Sequence, residues 1–142
     1  MKYSIPMLLI IAVGVLIAVV DELTRKRRLR SYWRRSCAGA DWRRSFPDAS
    51  KEEIRFFLQL FADAFAFERK NRLKFAPDDK LTEIYLLMYP PGSIGDAMEL
   101  ETFADRLDRQ YNVDLTAQDN WENLTLGQLF EMIRSSNRGN RL

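Results

Sequence analysis

Few side chains in this sequence could do chemistry, and their types exclude most enzyme mechanisms. The 142-residue chain has no histidine and a single cysteine, Cys37. Without histidine there is no imidazole base and no Ser-His or Cys-His pair. One cysteine forms neither a disulfide within the chain nor a CxxC motif, so we interpret Cys37 as a spare thiol. The sequence therefore predicts a protein that is not an enzyme.

Carboxylates are the remaining candidates for acid-base chemistry or Mg²⁺ binding. One group is the pair Asp78 and Asp79, and the other is a set at amphipathic spacing: Glu99, Glu101, Asp105 and Asp108. No glycine-rich phosphate loop accompanies them, and such spacing is typical of a solvent-exposed helix face. We predict no metal site here. Residues 94–131 contain nine acidic and two basic residues, so we expect the second set to attract a basic protein partner.

The N-terminal segment has the length and composition of a membrane span. No charged residue occurs from Tyr3 to Val20, and these residues as a helix would extend about 27 Å, close to one hydrocarbon core. The alternative is a cleaved signal peptide, but the apolar run ends at Asp21 and Glu22 without a small-residue cleavage site. We predict that residues 1–20 are a retained single-pass anchor.

A basic segment follows the anchor and sets its orientation. Residues 1–44 have a net charge of +7 and the remainder −5. Basic residues directly after a span indicate a cytoplasmic C-terminal domain at the inner (plasma) membrane. Residues 21–44 could also bind single-stranded nucleic acid, because aromatic residues are interleaved with the arginines. Proximity to the span favours anionic lipid headgroups instead, so we predict a membrane-surface linker without a nucleic-acid partner. Its headgroup contacts would be Arg25, Lys26, Arg27, Arg28, Arg30 and Trp33.

Residues 45–136 have the periodicity of a small helical domain. Ser50 and Glu53 form a capping-box pattern that opens a helix predicted to run to about Leu73. A second apolar stripe on this helix needs a cover, which we expect from Ile84, Leu87 or Met88. The stripe consists of Phe56, Leu60 and Phe67.

Two further helices are marked by their ends. One is predicted from Asp96 to Asn112, with Phe103 buried against Phe57 or Phe61. A short turn surrounds Trp121, and the Thr125 to Gln128 capping box opens the final helix. Residues 137–142 are predicted to be a disordered tail. The predicted fold class is all-α, with one transmembrane helix and a small four-helix bundle.

The segments GDAMELETFADRLDRQYNVDL and LTLGQLFEMI resemble acyl carrier protein domains, and the resemblance extends over roughly residues 50–135. It implies a serine that holds 4′-phosphopantetheine, but Ala97 occupies that position and has no hydroxyl oxygen to modify. We therefore predict a scaffold module that lacks the cofactor and docks a basic partner. The alternative is a membrane-tethered carrier loaded at Ser93, which lies about one helical turn earlier.

Overall fold

The computed structural model describes residues 5–92 and 98–139, and within these ranges it contains helices and no β-strand. The fold class is all-α, as predicted. The α-helices are α1 (Ile5–Arg28), α2 (Arg30–Trp33), α3 (Gly39–Ser45), α4 (Lys51–Ala64), α5 (Leu81–Met88), α6 (Met98–Tyr111) and α7 (Leu126–Gly139). Two 3₁₀ segments lie at Arg69–Lys74 and Trp121–Asn123.

Helix α1 is long and apolar enough to cross a membrane. None of its residues is buried. Pro6 lies in its first turn, where a missing N–H costs no helical hydrogen bond. The helix does not end with the apolar run but continues through the acidic and basic residues to Arg28. The first part of the predicted linker is therefore helical.

The remainder of that linker belongs to the hydrophobic core, which corrects the predicted domain boundary at residue 45. Four of its residues are buried with the residues of the bundle: Leu29, Tyr32, Ala38 and Trp42. Trp42 is fully buried, and its indole Nε1 donates a hydrogen bond to the Phe75 carbonyl at 2.8 Å. The Ala38 amide donates to the Leu73 carbonyl at 2.8 Å. Gly39 is the first residue of α3.

Helix α4 begins as predicted and ends nine residues early. Ser50 and Glu53 form both hydrogen bonds of the capping box. The helix ends at Ala64 because Ala66 adopts a left-handed conformation with φ of 54°, and the Phe67 amide donates to the Ala62 carbonyl in a Schellman arrangement. The predicted continuation to Leu73 is wrong. This reversal brings Phe67 back over Phe61, with ring centroids 5.9 Å apart.

Aromatic contacts join α4 to the two later helices. Phe103 of α6 is fully buried and lies edge-on to Phe61 at 5.6 Å, which confirms the predicted packing. Phe130 of α7 contacts Phe57 at 5.4 Å. Helix α6 ends at a left-handed Asn112, close to the predicted end.

The final helix begins at its predicted cap. The Gln128 amide donates to Thr125 Oγ1 at 3.2 Å, and the Thr125 amide donates to Gln128 Oε1 at 2.9 Å. Helix α7 continues to Gly139, so the described part of the predicted disordered tail, residues 137–139, is helical.

The second apolar stripe of the first bundle helix is only partly covered. Leu60 and Phe67 are buried, whereas Phe56 is 59% exposed. Phe67 contacts Trp33 of the basic segment at 5.5 Å and Phe75 at 5.1 Å. The ring contacts of Phe67 thus include aromatic residues before and after it in the chain, and Ile84 and Met88 of α5 belong to the same buried cluster as Leu60 and Phe67.

Candidate functional site

The end of α1 is held against the domain by Arg28, whose side chain caps the C-terminus of α5. Arg28 Nε donates to the Leu87 carbonyl at 2.7 Å, and its Nη2 lies 3.4 Å from the Met88 carbonyl. These carbonyls end α5, where backbone oxygens lack helical donors and carry partial negative charge. The guanidinium therefore satisfies that terminus and holds α5 against α1.

A second polar group lies beside this cap and connects α5 to α6. The Tyr89 hydroxyl donates a hydrogen bond to the Glu99 carboxylate, and Arg25 is paired with Glu22. Burial raises the pKa of Tyr89 to about 12, with further contributions from the hydrogen bond and charge of Glu99, while nearby Arg25 opposes the shift. Glu99, predicted to contact a partner, is half-buried and engaged within the domain.

The basic residues predicted to contact the membrane surface fall into two groups. Lys26, Arg27 and Arg30 are exposed, whereas Arg25 and Arg28 are half-buried against the domain. Trp33 was also predicted to lie at the membrane surface. Trp33 is half-buried, and its ring packs edge-on against Phe67 and against Phe75, with centroids 5.5 and 5.7 Å apart.

Arg35 and Asp79 form an ion pair that the sequence pattern did not predict. Arg35 Nη1 lies 2.8 and 2.7 Å from the two carboxylate oxygens of Asp79, and the Arg35 guanidinium covers the Tyr32 ring at 4.0 Å. Asp79 is 9% exposed and also accepts a hydrogen bond from the Ala76 amide at 2.6 Å. It is therefore a buried structural carboxylate and not part of a solvated pair.

The same segment positions the start of α7. The Asp79 carbonyl accepts from the Leu126 amide at 2.9 Å, and the Pro77 carbonyl accepts from the Gly127 amide at 2.8 Å. A Cβ on Gly127 would lie 3.1 Å from the Pro77 carbonyl oxygen, so this approach favours glycine. Among the described residues there is no cluster of three or more side chains suited to hold a metal ion.

The predicted acidic surface remains on the outer face of α6. Glu101, Asp105 and Asp108 are exposed, while Phe103 and Leu107 on the same helix are fully buried. Asp105 is paired with Arg109 along the helix at 2.8 Å. Three of the four predicted partner-binding acids are thus presented to solvent by one rigid element.

Ser93, the alternative attachment site, and Ala97, at the usual serine position, both lie outside the described residues. No protein family, curated protein or solved structure shows significant similarity to this chain. The resemblance to acyl carrier proteins and the loading of Ser93 therefore stay predictions.

Proposed function

We propose that this chain is a single-pass membrane protein that holds a non-catalytic helical domain at the cytoplasmic face of the inner membrane. In this proposal the exposed acidic face of α6 docks a basic protein partner. The observation that carries the proposal is α1, an apolar helix without a buried residue whose last turn packs on a folded domain. Such a large exposed apolar surface is unfavourable in water and is removed by a bilayer.

The continuity of α1 supports a retained anchor over a cleaved signal peptide. Thr24 Oγ1 donates to the Val20 carbonyl within an unbroken helix, and Arg28 one turn later caps α5. A signal peptide ends at a short site of small residues, whereas this helix passes directly into charged turns.

Exposed charges after α1 and on α6 support the cytoplasmic orientation of the domain and the basic character of its partner. Exposed Lys26, Arg27 and Arg30 follow the apolar run, which favours a cytoplasmic domain. Exposed Glu101 and Asp108 create a negative field that increases the rate of encounter with a basic surface.

Protease accessibility tests the anchor and its orientation. We expect the full chain to stay in the membrane pellet after alkaline carbonate extraction. Protease added to intact spheroplasts should leave the domain uncut, and lysis of the spheroplasts should expose it. Cleavage in intact spheroplasts would contradict the cytoplasmic orientation, and release by carbonate would contradict the anchor.

Site-specific photo-cross-linking tests the docking surface. A photoreactive residue at position 101 or 108 of the full chain should capture the same basic protein in the native host. The matched control is position 138 on α7, where exposed Arg138 should give no such product. Equal capture at all three positions would contradict docking on α6.

The intact mass of the natively expressed chain separates the scaffold from the carrier alternative. We expect no added mass. A gain equal to one phosphopantetheine arm that disappears in Ser93→Ala would contradict the scaffold and establish a carrier.

A further inference from the structure

A basic cavity lies between the end of α1, α2 and the 3₁₀ segment Arg69–Lys74. Its volume is about 690 Å³. Among the described residues that line it, five are basic and one is acidic, a net charge of +4. The charged lining residues are Lys26, Arg27, Arg30, Arg34, Lys70 and Glu68.

Helix geometry and a distant contact bring these cations together. Arg30 lies one turn beyond Lys26 and Arg27, so these three side chains share one side of the chain, while Arg25 and Arg28 are half-buried against α5 and its C-terminal residues. Lys70 comes from 40 residues further along the chain, because Phe67 packs on Trp33 and places the 3₁₀ segment beside α2. The cavity therefore exists only in the folded domain.

The arginine charges in this cavity are available to a ligand. Glu68 is paired with Lys70 at 2.7 Å, and that bond, together with the charge of Lys26, lowers the pKa of Glu68. Arg27, Arg30 and Arg34 are exposed and share the cavity with this single carboxylate. Planar guanidinium groups bind phosphate oxygens with two parallel hydrogen bonds.

The membrane-proximal end of the cavity lies at the depth of the lipid headgroups if α1 spans the membrane. At a rise of about 1.5 Å per residue, Leu23 and Lys26 lie about 4.5 and 9 Å beyond Val20. The headgroup layer on each side of a bilayer is roughly 5–8 Å thick. Leu23, which also lines the cavity, therefore lies within that layer, Lys26 lies just beyond it, and Arg30, about 15 Å beyond Val20 on the same scale, lies on its cytoplasmic side.

We propose that this cavity binds the headgroup of an anionic phospholipid with two phosphate groups, such as cardiolipin, an inference that rests on the proposed membrane anchoring. Lys26 and Lys70 are paired with Glu22 and Glu68, so the charge left for a ligand is that of Arg27, Arg30 and Arg34, and two phosphates neutralise more of it than one. The cavity volume is within the range of about 300–1,000 Å³ that is typical of small-molecule sites. Clusters of four or more basic residues directly after a membrane span are typical of binding to anionic lipid headgroups.

Native mass spectrometry of the full chain in detergent micelles tests the site with cardiolipin as the probe. We expect one cardiolipin per chain, bound at least about tenfold more tightly than phosphatidylglycerol at equal phosphate concentration, because the second phosphate adds charge-assisted hydrogen bonds. Arg30→Gln with Arg34→Gln should weaken cardiolipin binding by about thirtyfold, given the usual contribution of each basic residue near anionic lipid.

The matched control removes two exposed arginines outside the cavity, Arg43→Gln with Arg138→Gln, and should change binding less than about twofold. Equal loss in both double variants would overturn the site, because binding would then follow total charge. Equal affinity for phosphatidylglycerol would overturn the preference for two phosphates. Displacement of the lipid by inorganic pyrophosphate would identify a free anion as the ligand, and displacement by a single-stranded RNA oligonucleotide would identify nucleic acid.

Carbonate extraction distinguishes failure of this inference from failure of the anchor. All variants should remain in the membrane pellet, because none changes the apolar run. A pelleted chain that binds no cardiolipin would overturn the cavity inference alone, whereas a chain released by carbonate would overturn the anchoring on which it rests.

Discussion

The basic segment of residues 25–44 and the acidic helix α6 have similar sequence patterns and different structural roles. Both combine many like charges with apolar residues at helical spacing. In the basic segment, two arginines make contacts within the domain, Arg28 with carbonyls of α5 and Arg35 with buried Asp79. In α6, Glu101 and Asp108 remain exposed. The difference shows that a charge becomes structural when the fold brings an uncapped backbone group or a buried counter-ion within its reach.

The largest expected effect concerns the contact through which the basic segment packs on the bundle. Phe67→Asp places a carboxylate beside Trp33 in an apolar ring cluster, so we expect a loss of at least about 4 kcal/mol in the free energy of unfolding. Phe56→Asp is the matched control, because Phe56 is 59% exposed and its change should stay within about 0.5 kcal/mol. Urea denaturation of the full chain in detergent, followed by circular dichroism, measures both. Similar losses in both variants would contradict the assigned helix faces.

Truncation of Trp42 and of Phe103 compares the contributions of the basic segment and of α6 to the stability of the core. Trp42 and Phe103 are both fully buried, so either truncation to alanine should cost about 3–5 kcal/mol. Glu101→Gln on the exposed face of α6 should change stability by less than about 0.5 kcal/mol. The same denaturation measurement applies. A cost below about 1 kcal/mol for Trp42→Ala would contradict the core role of Trp42 and would indicate that the basic segment is a linker.

Arg35→Gln tests whether an arginine of the basic segment is structural. The change leaves Asp79 with its Ala76 amide bond and without its cation, and we expect a loss of about 1–2 kcal/mol because Arg35 is itself partly exposed to solvent. Neighbouring Arg34→Gln, which alters an exposed side chain, should cost less than about 0.5 kcal/mol. Thermal denaturation of the two variants at neutral pH would detect the difference, and equal melting temperatures would contradict it.

The last expected effect is confined to alkaline pH and is a loss of stability from the Tyr89 and Glu99 pair. The folded protein raises the pKa of Tyr89 to about 12, so this tyrosine holds its proton more tightly than in the unfolded chain. Its contribution is complete below about pH 10 and decreases as the pH rises towards 12. Melting temperatures should therefore fall more steeply over this interval in the native chain than in Tyr89→Phe. Parallel profiles would show that the fold does not raise the pKa of Tyr89.

Features that depend on neighbouring residues were predictable from the sequence. The Ser50 and Thr125 capping boxes, the apolar helix and the burial of Phe103 each follow from residues that lie within a few turns of one helix. The early end of α4 was not predictable in this way, because Ala66 is an ordinary residue that adopts a left-handed conformation. That conformation is maintained by the Phe67 ring contacts, which overcome local preference.

The sequence contained part of the information needed to predict the burial of the basic segment. Leu29, Tyr32 and Trp33 lie at i, i+3 and i+4, which is the spacing of a core face. The position beside the apolar run offered a competing explanation for the same aromatic residues, because tryptophan and tyrosine also favour membrane interfaces. Periodicity alone does not distinguish lipid headgroups from a protein core.

By itself the sequence determined the all-α class, the apolar helix, the helix caps and the separation of basic from acidic charge. Only the tertiary structure decided which charges are internal and which are available to ligands. The Arg28 cap, the Arg35 ion pair and the Trp42 hydrogen bond join residues 59, 44 and 33 positions apart. Periodicity and capping act over one or two helical turns, whereas contacts at these separations depend on how the whole chain packs.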